Sequence, residues 1–432
     1  MDVDRIRSQI PVLAHTAYMN TGWSGPPPRR VAQAMKDRID LELEQGPIMP
    51  DVLEAGREIQ AQTREAAARI FNATVDEVLV TRNTTEGLNI VLSGLDWKQG
   101  DEIIICDMEH GSVIAPAQLI GQRYGVAVKV VDLEIHDSSE MIVTKIESAF
   151  TPKTRMVFMS HILYATGRRM PADEIGRLTK DRGILLMLDG AQTGGHIELD
   201  MARSPFDFYS IPGQKWLLGY EGSGALFIRR EHLERIHPAH TGGRGIARPA
   251  EAHNFQPEPG TMEKFLGGSV SVPVQAAFLE ATRFIEETGI QNIEARNLDL
   301  AGSAKAKLSE IPGVTVLSPS ERRDSSGLIT FAVADLEPVP VVERLWENHK
   351  IVVRQVGYPA GIRASLHFFN TEKEVELLVD GVRELTYPHW NGTGRNAKNR
   401  MTTSATSRPL CTTRRRPNPL CSPPIPNPRP CL

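Results

Sequence analysis

From Tyr18 to Ile228 the sequence alternates between short apolar runs and longer amphipathic stretches. Seven of the runs have the length and composition of buried strands: "EVLVT" (77–81), "EIIICD" (102–107), "AVKVVDL" (127–133), "TRMVFMSHI" (154–162), "ILLMLDGA" (184–191), "FDFYSI" (206–211) and "GALFIR" (224–229). Most are separated by helical patterns such as "GSVIAPAQLIGQRYG" and "PADEIGRLTKDRG". Near-continuous apolar strands separated by helices are typical of a mostly parallel sheet that is covered on both faces. The pattern therefore predicts an α/β fold.

The alternation stops at residues 237–268, which are rich in Gly, Pro and His and predict an ordered loop region. A long helix and a smaller α/β pattern follow, with predicted strands "VTVLSP", "GLITFAV", "IVVRQV" and "RASLHFF". We therefore expect a large domain over 21–268 and a small C-terminal domain over 269–390, against which an N-terminal segment, 1–20, packs. Residues 391–432 are rich in Pro and Arg, and this composition predicts a disordered tail.

Charge and composition exclude several classes of function. The chain has a net charge of −4. Its last 42 residues hold eight Lys or Arg and no acid, so residues 1–390 carry 41 basic and 53 acidic groups, a net of −12. This acidic body argues against nucleic acid as the main partner. Since we find no apolar run of transmembrane length and no secretory signal pattern, we expect neither a membrane span nor secretion, and a cytoplasmic protein is the default.

Three of the four cysteines lie in the tail, and Cys106 lies within a predicted buried strand. We interpret Cys106 as an inert core thiol and expect no disulfide framework and no metal site.

Polar residues follow three of the predicted strands at the point where each strand ends. Asp189 comes directly after "ILLML", His110 follows "EIIICDME", and Thr84 and Thr85 begin a predicted helix after "EVLVTRN". Ligands of open α/β sheets bind at the carboxyl ends of the strands. Hydroxyls and free N–H groups at a helix N-terminus suit a phosphate, although Thr-Thr-Glu is equally a capping sequence. Each of these residues taken alone has a structural explanation.

Lys215 lies in "SIPGQKWLLGYEGSGALFIRRE" (210–231), between one predicted strand and the next, among four glycines. A lysine nucleophile needs partial desolvation to lower its pKa and room for a flat ligand, which small neighbours provide. A lysine that forms a Schiff base, a carboxylate for a ring nitrogen, a helix N-terminus for a phosphate and an imidazole for a ring face together fit pyridoxal phosphate.

With these residues, the chain resembles the class V aminotransferase family of fold-type I pyridoxal-phosphate enzymes. This family includes cystine C–S lyases, cysteine desulfurases and isopenicillin N epimerases. The resemblance covers roughly residues 8–388. It rests on the segments "AYMNTGWSGPPP", "TRNTTEGLNIVL", "CDMEHGS", "SHILYATG", "LDGAQ", "GQKWLLGYEGSGALF", "GGRGI" and "IRASLHFFNTEKEV". It implies that Lys215 binds the cofactor aldehyde, that Asp189 pairs with the pyridine nitrogen, that Gln192 contacts the ring hydroxyl and that His110 stacks on the ring.

The resemblance also implies phosphate and substrate contacts. The phosphate ligands would be Thr84, Thr85 and Gln214, with Thr261 of "PGTMEK" contributed by a second subunit of a homodimer. Arg363 matches the arginine that binds the substrate α-carboxylate, for which a planar guanidinium is well suited. Arg354 would serve a second carboxylate or polar group, or else form a salt bridge within the acidic body.

Three positions depart from the pattern of the family. Gln214 stands where most relatives have His before the lysine, and Pro212 stands where a phosphate-binding Ser or Thr is usual. Tyr164 stands where desulfurases place an Asn, and an aromatic residue here resembles the C–S lyases. These departures concern the details of phosphate and substrate binding rather than the identity of the cofactor.

Reaction type depends on the rest of the site, because the cofactor stabilises a carbanion in each case. Desulfurases need a cysteine nucleophile in the second domain, and there is none between Ser269 and Pro388. We therefore expect a C–S lyase that performs β-elimination on L-cystine or an S-substituted L-cysteine. Epimerisation and transamination are the alternatives among enzymes. A cofactor-binding regulator without turnover is the alternative of another class, but the sequence has no appended DNA-binding module.

Overall fold

The computed structural model describes residues 1–243, 245–247, 253 and 260–386. The predicted tail, 391–432, and parts of the predicted loop region lie outside the described residues. The α-helices of the described part are α1 (Val3–Ser8), α2 (Arg29–Gln45), α3 (Pro50–Phe71), α4 (Thr84–Gly94), α5 (Gly111–Tyr124), α6 (Ser139–Ser148), α7 (Ala172–Asp181), α8 (Val272–Thr288), α9 (Ile290–Ser309), α10 (Pro338–His349) and α11 (Glu372–Leu385). None of them is long and apolar enough to cross a membrane.

The strands form three sheets. In chain order they are β1 (Ala17–Tyr18), β2 (Val78–Thr81), β3 (Glu102–Cys106), β4 (Ala127–Val131), β5 (Thr154–Ser160), β6 (Leu185–Asp189), β7 (Phe208–Pro212), β8 (Gly224–Ile228), β9 (Val314–Val316), β10 (Leu328–Val333), β11 (Ile351–Val352), β12 (Arg354–Gly357) and β13 (Ala360–Ser365). The seven-stranded sheet has the order β2-β8-β7-β6-β5-β3-β4, and the four-stranded sheet has the order β12-β13-β10-β9.

The seven-stranded sheet is mostly parallel, as the sequence predicts. Only β8 runs antiparallel to its neighbours, β2 and β7. Successive residues of its strands enter different apolar clusters: Ile103 and Phe158 belong to one, Ile104 and Val157 to the other. Because side chains alternate between the faces of a strand, the sheet is buried on both faces, which explains the continuous apolar runs. The prediction of a fold-type I α/β architecture is confirmed.

The four-stranded sheet is antiparallel and has its own apolar cluster, which includes Phe331 and Ile362. The predicted strand "IVVRQV" is interrupted: Ile351–Val352 pairs with β1, whereas Arg354–Gly357 pairs with β13. The last predicted strand, "RASLHFF", begins earlier than predicted, at Ala360, and ends at Ser365. The expected boundaries between an N-terminal segment, a large domain and a small domain stay predictions.

Candidate active site

The parallel strands of the large sheet end at one edge, where the predicted residues come together. Ten of the eleven line a single pocket of about 260 Å³: Thr84, Thr85, His110, Tyr164, Asp189, Gln192, Gln214, Lys215, Arg354 and Arg363. The eleventh, Thr261, is not part of this lining. A larger pocket of about 500 Å³ between β2 and residues 265–271 contains none of the eleven. The smaller pocket is therefore the candidate active site.

Lys215 lies in the turn between β7 and β8, and two distant loops pack directly against the backbone of this turn. The Gly25 N–H donates to the Gln214 carbonyl (2.7 Å), and a Cβ at Gly25 would lie 2.3 Å from the Lys215 carbonyl oxygen. Gly195 has φ +82°, and a Cβ there would lie 2.6 Å from the Trp216 carbonyl oxygen. Leu218 adopts φ 62°, a left-handed conformation that costs a non-glycine residue about 1–2 kcal/mol. The surrounding packing thus holds the lysine turn in a conformation it would not adopt alone.

Lys215 and Asp189 influence each other's ionisation. Burial lowers the pKa of Lys215 to about 8, and this shift is opposed by the negative charge of Asp189 and enhanced by Arg363 and Arg354. Burial raises the pKa of Asp189, while Lys215 and the Ala191 N–H, which donates to Asp189 Oδ1 (2.7 Å), lower it. At pH 8 about half of the Lys215 side chains are uncharged, against about 0.3% for an ordinary lysine. Lys215 is therefore available as a nucleophile or base near neutral pH.

The N-terminus of α4 faces the same pocket. Asn83 caps the helix, because its side chain accepts the Glu86 N–H (2.9 Å), and Thr84 and Thr85 are the first helical residues. Thr85 Oγ1 donates to Ser112 Oγ (3.0 Å). The first N–H groups of a helix have no partner within the helix, and the helix dipole favours an anion at this end. This corner of the pocket is suited to a phosphate.

His110 caps α5 at the carboxyl end of β3. Its Nδ1 accepts the Ser112 N–H (3.1 Å), which leaves the ring proton on Nε2, and its ring meets Tyr164 edge-on at 5.1 Å. Partial burial and the positive charges of Lys215, Arg354 and Arg363 lower the pKa of His110 to about 4. The imidazole is therefore neutral at physiological pH.

Gln192 has a fixed amide orientation, which no pattern in the sequence indicated. Its Oε1 accepts the Trp216 indole N–H (2.8 Å), and its Nε2 donates to the Gly22 carbonyl (3.0 Å). Trp216 is itself stacked on His196, with ring centres 3.6 Å apart and an interplanar angle of 11°. One N–H of Gln192 thus remains available to the pocket, as a contact with a ring hydroxyl would require.

Arg354 and Arg363 enter the pocket from the four-stranded sheet, where they are directly opposite each other on β12 and β13. Arg363 is buried and donates to the Tyr164 carbonyl (2.9 Å) and to Asn20 Oδ1 (3.4 Å). Arg354 donates from Nε to the Gln355 carbonyl (3.2 Å). Within the described ranges, neither guanidinium forms an ion pair with a carboxylate. Burial, followed by the charge of Arg354, lowers the pKa of Arg363 to about 9.

Several buried polar atoms of the pocket lack partners, and they indicate which ligands fit. Thr84 Oγ1, Gln214 Oε1 and Arg363 Nε form no hydrogen bond with any described residue. A buried polar atom without a partner costs about 1–3 kcal/mol. The Thr84 hydroxyl and Arg363 Nε are donors, so anionic groups would satisfy them. A phosphate at α4 and a carboxylate at Arg363, with Lys215 and Asp189 in the same pocket, fit pyridoxal phosphate and an amino acid.

The pocket also includes residues that the sequence did not single out. Gly22, Trp23, Ser112 and Glu221 belong to its lining. Near it, the carboxylate of Glu109 accepts the Ser160 N–H (2.9 Å) and the Ser160 hydroxyl (2.5 Å), which ties the loop carrying His110 to the end of β5. Burial raises the pKa of Glu109 to about 8.

Comparisons with known proteins agree with this geometry. The family model "Aminotransferase class-V" matches residues 28–378. A probable cysteine desulfurase of Methanothermobacter thermautotrophicus is 28% identical over 89% of this chain and 98% of its own length. The isopenicillin N epimerase of Streptomyces clavuligerus is 30% identical with the same coverage of both chains.

Solved structures of the cystine C–S lyase C-DES are also similar. A complex with its reaction product, cysteine persulfide, has a TM-score of 0.81 and 28% identity over 87% of this chain and 99% of its own. A C-DES mutant with glycine covalently linked to the pyridoxal-phosphate cofactor has a TM-score of 0.82 and 29% identity over 88% and 99%.

The fold and the pocket define a fold-type I enzyme that depends on pyridoxal phosphate. The chain belongs to the class V aminotransferase family. The predictions of the family and of the cofactor are thereby confirmed.

Proposed function

We propose that the protein is a carbon–sulfur lyase that performs β-elimination on L-cystine or an S-substituted L-cysteine. With water, an S-substituted cysteine gives a thiol, pyruvate and ammonia, and cystine gives a persulfide in place of the thiol. Similarity to both a C–S lyase and desulfurases supports chemistry at the sulfur of cysteine. The observation that carries the choice of a lyase is that Cys106, the cysteine of the described part, is buried within β3. No thiol of the described residues lines the pocket to accept sulfur.

Bound pyridoxal phosphate supplies an aldehyde that attaches to amines and a protonated ring that stabilises negative charge at Cα. In the proposed site the N-terminus of α4, Thr84, Thr85 and Gln214 hold its phosphate. Asp189 would keep the ring nitrogen protonated, Gln192 would donate to the ring hydroxyl, and neutral His110 would pack against the ring. These roles rest on the positions of the residues around the pocket and on the resemblance to the family.

The remaining residues would act on the substrate. Arg363 binds the α-carboxylate, satisfying its unpartnered Nε and orienting the Cα–H bond. Lys215, once its amine is free, would take the Cα proton, for which a pKa of about 8 suits it near neutral pH. Tyr164 would contact the substrate side chain, and Arg354 would bind a second carboxylate or polar group.

The test is to incubate the holoenzyme with L-cystine and with S-alkyl-L-cysteines and to measure pyruvate. Stoichiometric pyruvate and ammonia would support elimination. Absence of pyruvate, accompanied by exchange of the Cα proton into deuterated water, would instead establish an epimerase, the alternative favoured by the similarity to isopenicillin N epimerase. Formation of a 2-oxo acid with an accumulated aminated cofactor would establish an aminotransferase. A protein that binds the cofactor but gives none of these products would be a regulator.

We also propose a cytoplasmic homodimer with shared active sites, in which Thr261 of one subunit reaches the phosphate site of the other. Thr261 lies outside the pocket of its own chain, and the resemblance to the family implies that it is a phosphate ligand contributed by the second subunit. Mixing Lys215→Ala with Thr261→Ala subunits tests the arrangement. If sites are shared, the mixed dimer contains one intact site and recovers activity beyond the sum of the two variants. No recovery after verified subunit exchange would refute it.

A further inference from the structure

Trp23 is an exposed aromatic residue in a turn that is hydrogen-bonded to residues of the pocket. Its side chain is 55% exposed, although it lies in the lining of the pocket. Its N–H donates to the Asn20 carbonyl (3.0 Å) within a tight turn. The same turn is anchored through the Gly22 carbonyl, which accepts from Gln192, and through Asn20 Oδ1, which accepts from Arg363. The backbone that carries the indole is thus anchored to Gln192 and to Arg363, which line the same pocket.

The indole stacks against Arg354. The guanidinium carbon of Arg354 lies 4.2 Å from the centre of the Trp23 ring, the shortest such cation–π distance in the described part of the chain. A guanidinium that lies over the face of an aromatic ring can still use its N–H groups for hydrogen bonds to a ligand. Arg354 Nε donates to the Gln355 carbonyl, whereas its two Nη groups donate to no described residue. Trp23 therefore orients Arg354 while leaving its outer edge available to a ligand.

The charge arrangement indicates what that ligand carries. Like charges directly opposite each other on paired strands destabilise a sheet, and burial of Arg363 increases the cost. One α-carboxylate on Arg363 would leave Arg354 without a counter-charge. A ligand with a second carboxylate would neutralise both and would bind the free Nη edge of Arg354 through two hydrogen bonds.

We infer that Trp23 is a specificity-determining residue, which positions Arg354 so that the site selects amino acids whose side chain ends in a carboxylate. This inference rests on the proposed binding of an amino acid by Arg363 and Arg354, but not on the reaction that follows. Trp23 is a positioning residue, because its contribution to the carboxylate is made through Arg354.

Equilibrium binding tests the inference without requiring turnover. L-2-Aminoadipate and L-norleucine have the same chain length, differ in whether the side chain ends in a carboxylate or a methyl group, and lack a leaving group for elimination. Their dissociation constants follow from the change in absorbance of the holoenzyme on titration. We expect the wild type to bind aminoadipate at least about tenfold more tightly than norleucine, as for one charge-assisted contact. We expect Trp23→Leu to reduce this ratio to about threefold or less, and Trp23→Phe, which keeps an aromatic face, to be intermediate.

Two further variants separate positioning from packing. Trp346→Leu removes another exposed tryptophan that stacks on a cation, Lys350, at 4.9 Å, on α10 and outside the pocket, and it should leave the ratio unchanged. Once Arg354→Gln has abolished the preference, adding Trp23→Leu should change the ratio no further. If Trp23→Leu weakens both ligands equally, or if its effect persists without Arg354, the inference is wrong. A wild type that prefers norleucine also refutes it.

The outcome is separable from that of the proposed reaction. If pyruvate is never released but the binding ratio falls in Trp23→Leu, the lyase proposal fails and the inference stands. If pyruvate is released but the ratio is insensitive to Trp23, the inference fails alone. Thermal melting of each variant identifies any that is unfolded. If Trp23→Leu is unfolded, the binding ratio of Trp23→Phe, which is the smaller change, tests the inference instead.

Discussion

The two sheets contribute charged residues to the same pocket, but they do so in different ways. At the edge of the seven-stranded sheet, positive Lys215 and negative Asp189 compensate each other, and the cost of burying each is partly offset by the other. From the four-stranded sheet come Arg354 and Arg363, two like charges opposite each other with no carboxylate partner among the described residues. The Lys215–Asp189 pair is charge-compensated without an amino-acid substrate, whereas the two arginines have no counter-charge until an anionic ligand binds.

This difference assigns separate tasks to the two sheets. A compensated pair maintains the ionisation state that the cofactor requires, whichever substrate is present. An uncompensated pair gains free energy when an anionic ligand arrives, which is why we propose that it selects the ligand. Changes in the large sheet should therefore affect all substrates alike, whereas changes in the small sheet should affect substrates according to their charge.

Replacing Lys215 tests the first half of the comparison and has the largest expected effect. Lys215→Ala should lower kcat by a factor of about 10³ or more for every substrate, because the nucleophile and the base are both removed. Reduction with borohydride followed by mass spectrometry should find no cofactor attached to the chain.

Lys305 is a matched control for Lys215. Burial lowers its pKa to about 8 as well, but its amine contacts the Pro319 carbonyl and the Ser325 hydroxyl (2.7 Å) and lies outside the pocket. Lys305→Met should reduce stability yet retain the attached cofactor. Attachment lost in Lys305→Met and retained in Lys215→Ala would contradict the assignment.

Most of the seven-stranded sheet was predictable because its strands, apart from the partly exposed edge strand β4, are buried on both faces and appear as apolar runs. The division of 351–357 was not predictable. Every part of "IVVRQV" has a similar propensity for strand. The strand is interrupted because Ile351–Val352 pairs with residues 17–18, more than 330 positions away. Local sequence carries no information about such a partner.

The pocket was predictable where residues follow strands of the sheet, as Asp189 and Thr84 do, and where the family resemblance supplied Arg363. Trp23, Glu109 and the Trp216–Gln192 hydrogen bond were missed, because each acquires its role from a neighbour that only the folded chain provides.

Replacing the arginines tests the second half of the comparison. Arg363→Gln should raise KM about 100-fold for all amino acids, because every one carries an α-carboxylate, with kcat changing less. Arg354→Gln should raise KM about tenfold for substrates with a second carboxylate, such as S-(carboxymethyl)-L-cysteine, and barely at all for S-ethyl-L-cysteine. Steady-state kinetics with both substrates gives the comparison. If Arg354→Gln raised KM equally for the two substrates, the proposed difference in task between the two sheets would be wrong.

Buried imidazoles join the two sheets, and their titration should govern acid stability. His196 Nε2 accepts the Gly327 N–H (2.8 Å), and His367 Nε2 donates to the Trp216 carbonyl (2.9 Å). Burial lowers the pKa of His196 to about 3 and that of His367 well below its usual value. Below pH 6.5 the unfolded chain binds protons that the folded chain does not, so stability is lost as the pH falls.

Each such histidine should contribute a slope of about 1.4 kcal/mol per pH unit to the free energy of unfolding below pH 6.5. Urea unfolding of the cofactor-free protein between pH 6.5 and 4.5 measures this slope. His196→Gln should start from a lower stability but show a slope smaller by that amount, and an unchanged slope would show that His196 does not titrate as inferred.

The smallest predicted effects concern the pKa of Lys215, and they have opposite signs for the two sheets. Asp189→Asn removes a charge that raises this pKa and should shift it below about 8. Arg363→Gln and Arg354→Gln remove charges that lower it and should shift it upward, Arg363→Gln more strongly. The rate at which the cofactor-free protein attaches pyridoxal phosphate, followed against pH, reports the uncharged amine. Shifts of the same sign in all three variants would contradict the comparison.

If Arg354 selects a side-chain carboxylate as proposed, its position opposite Arg363 makes the length of one hairpin a determinant of specificity. Successive residues of a strand point to opposite faces of the sheet, so a shift of one residue in the pairing of β12 with β13 would turn Arg354 away from the pocket while Arg363 stayed in place. A single-residue insertion or deletion near Tyr358 would accomplish this without any change in the residues that hold the cofactor. Such a change of one residue would convert a site for dicarboxylic amino acids, as proposed for this chain, into one for neutral amino acids.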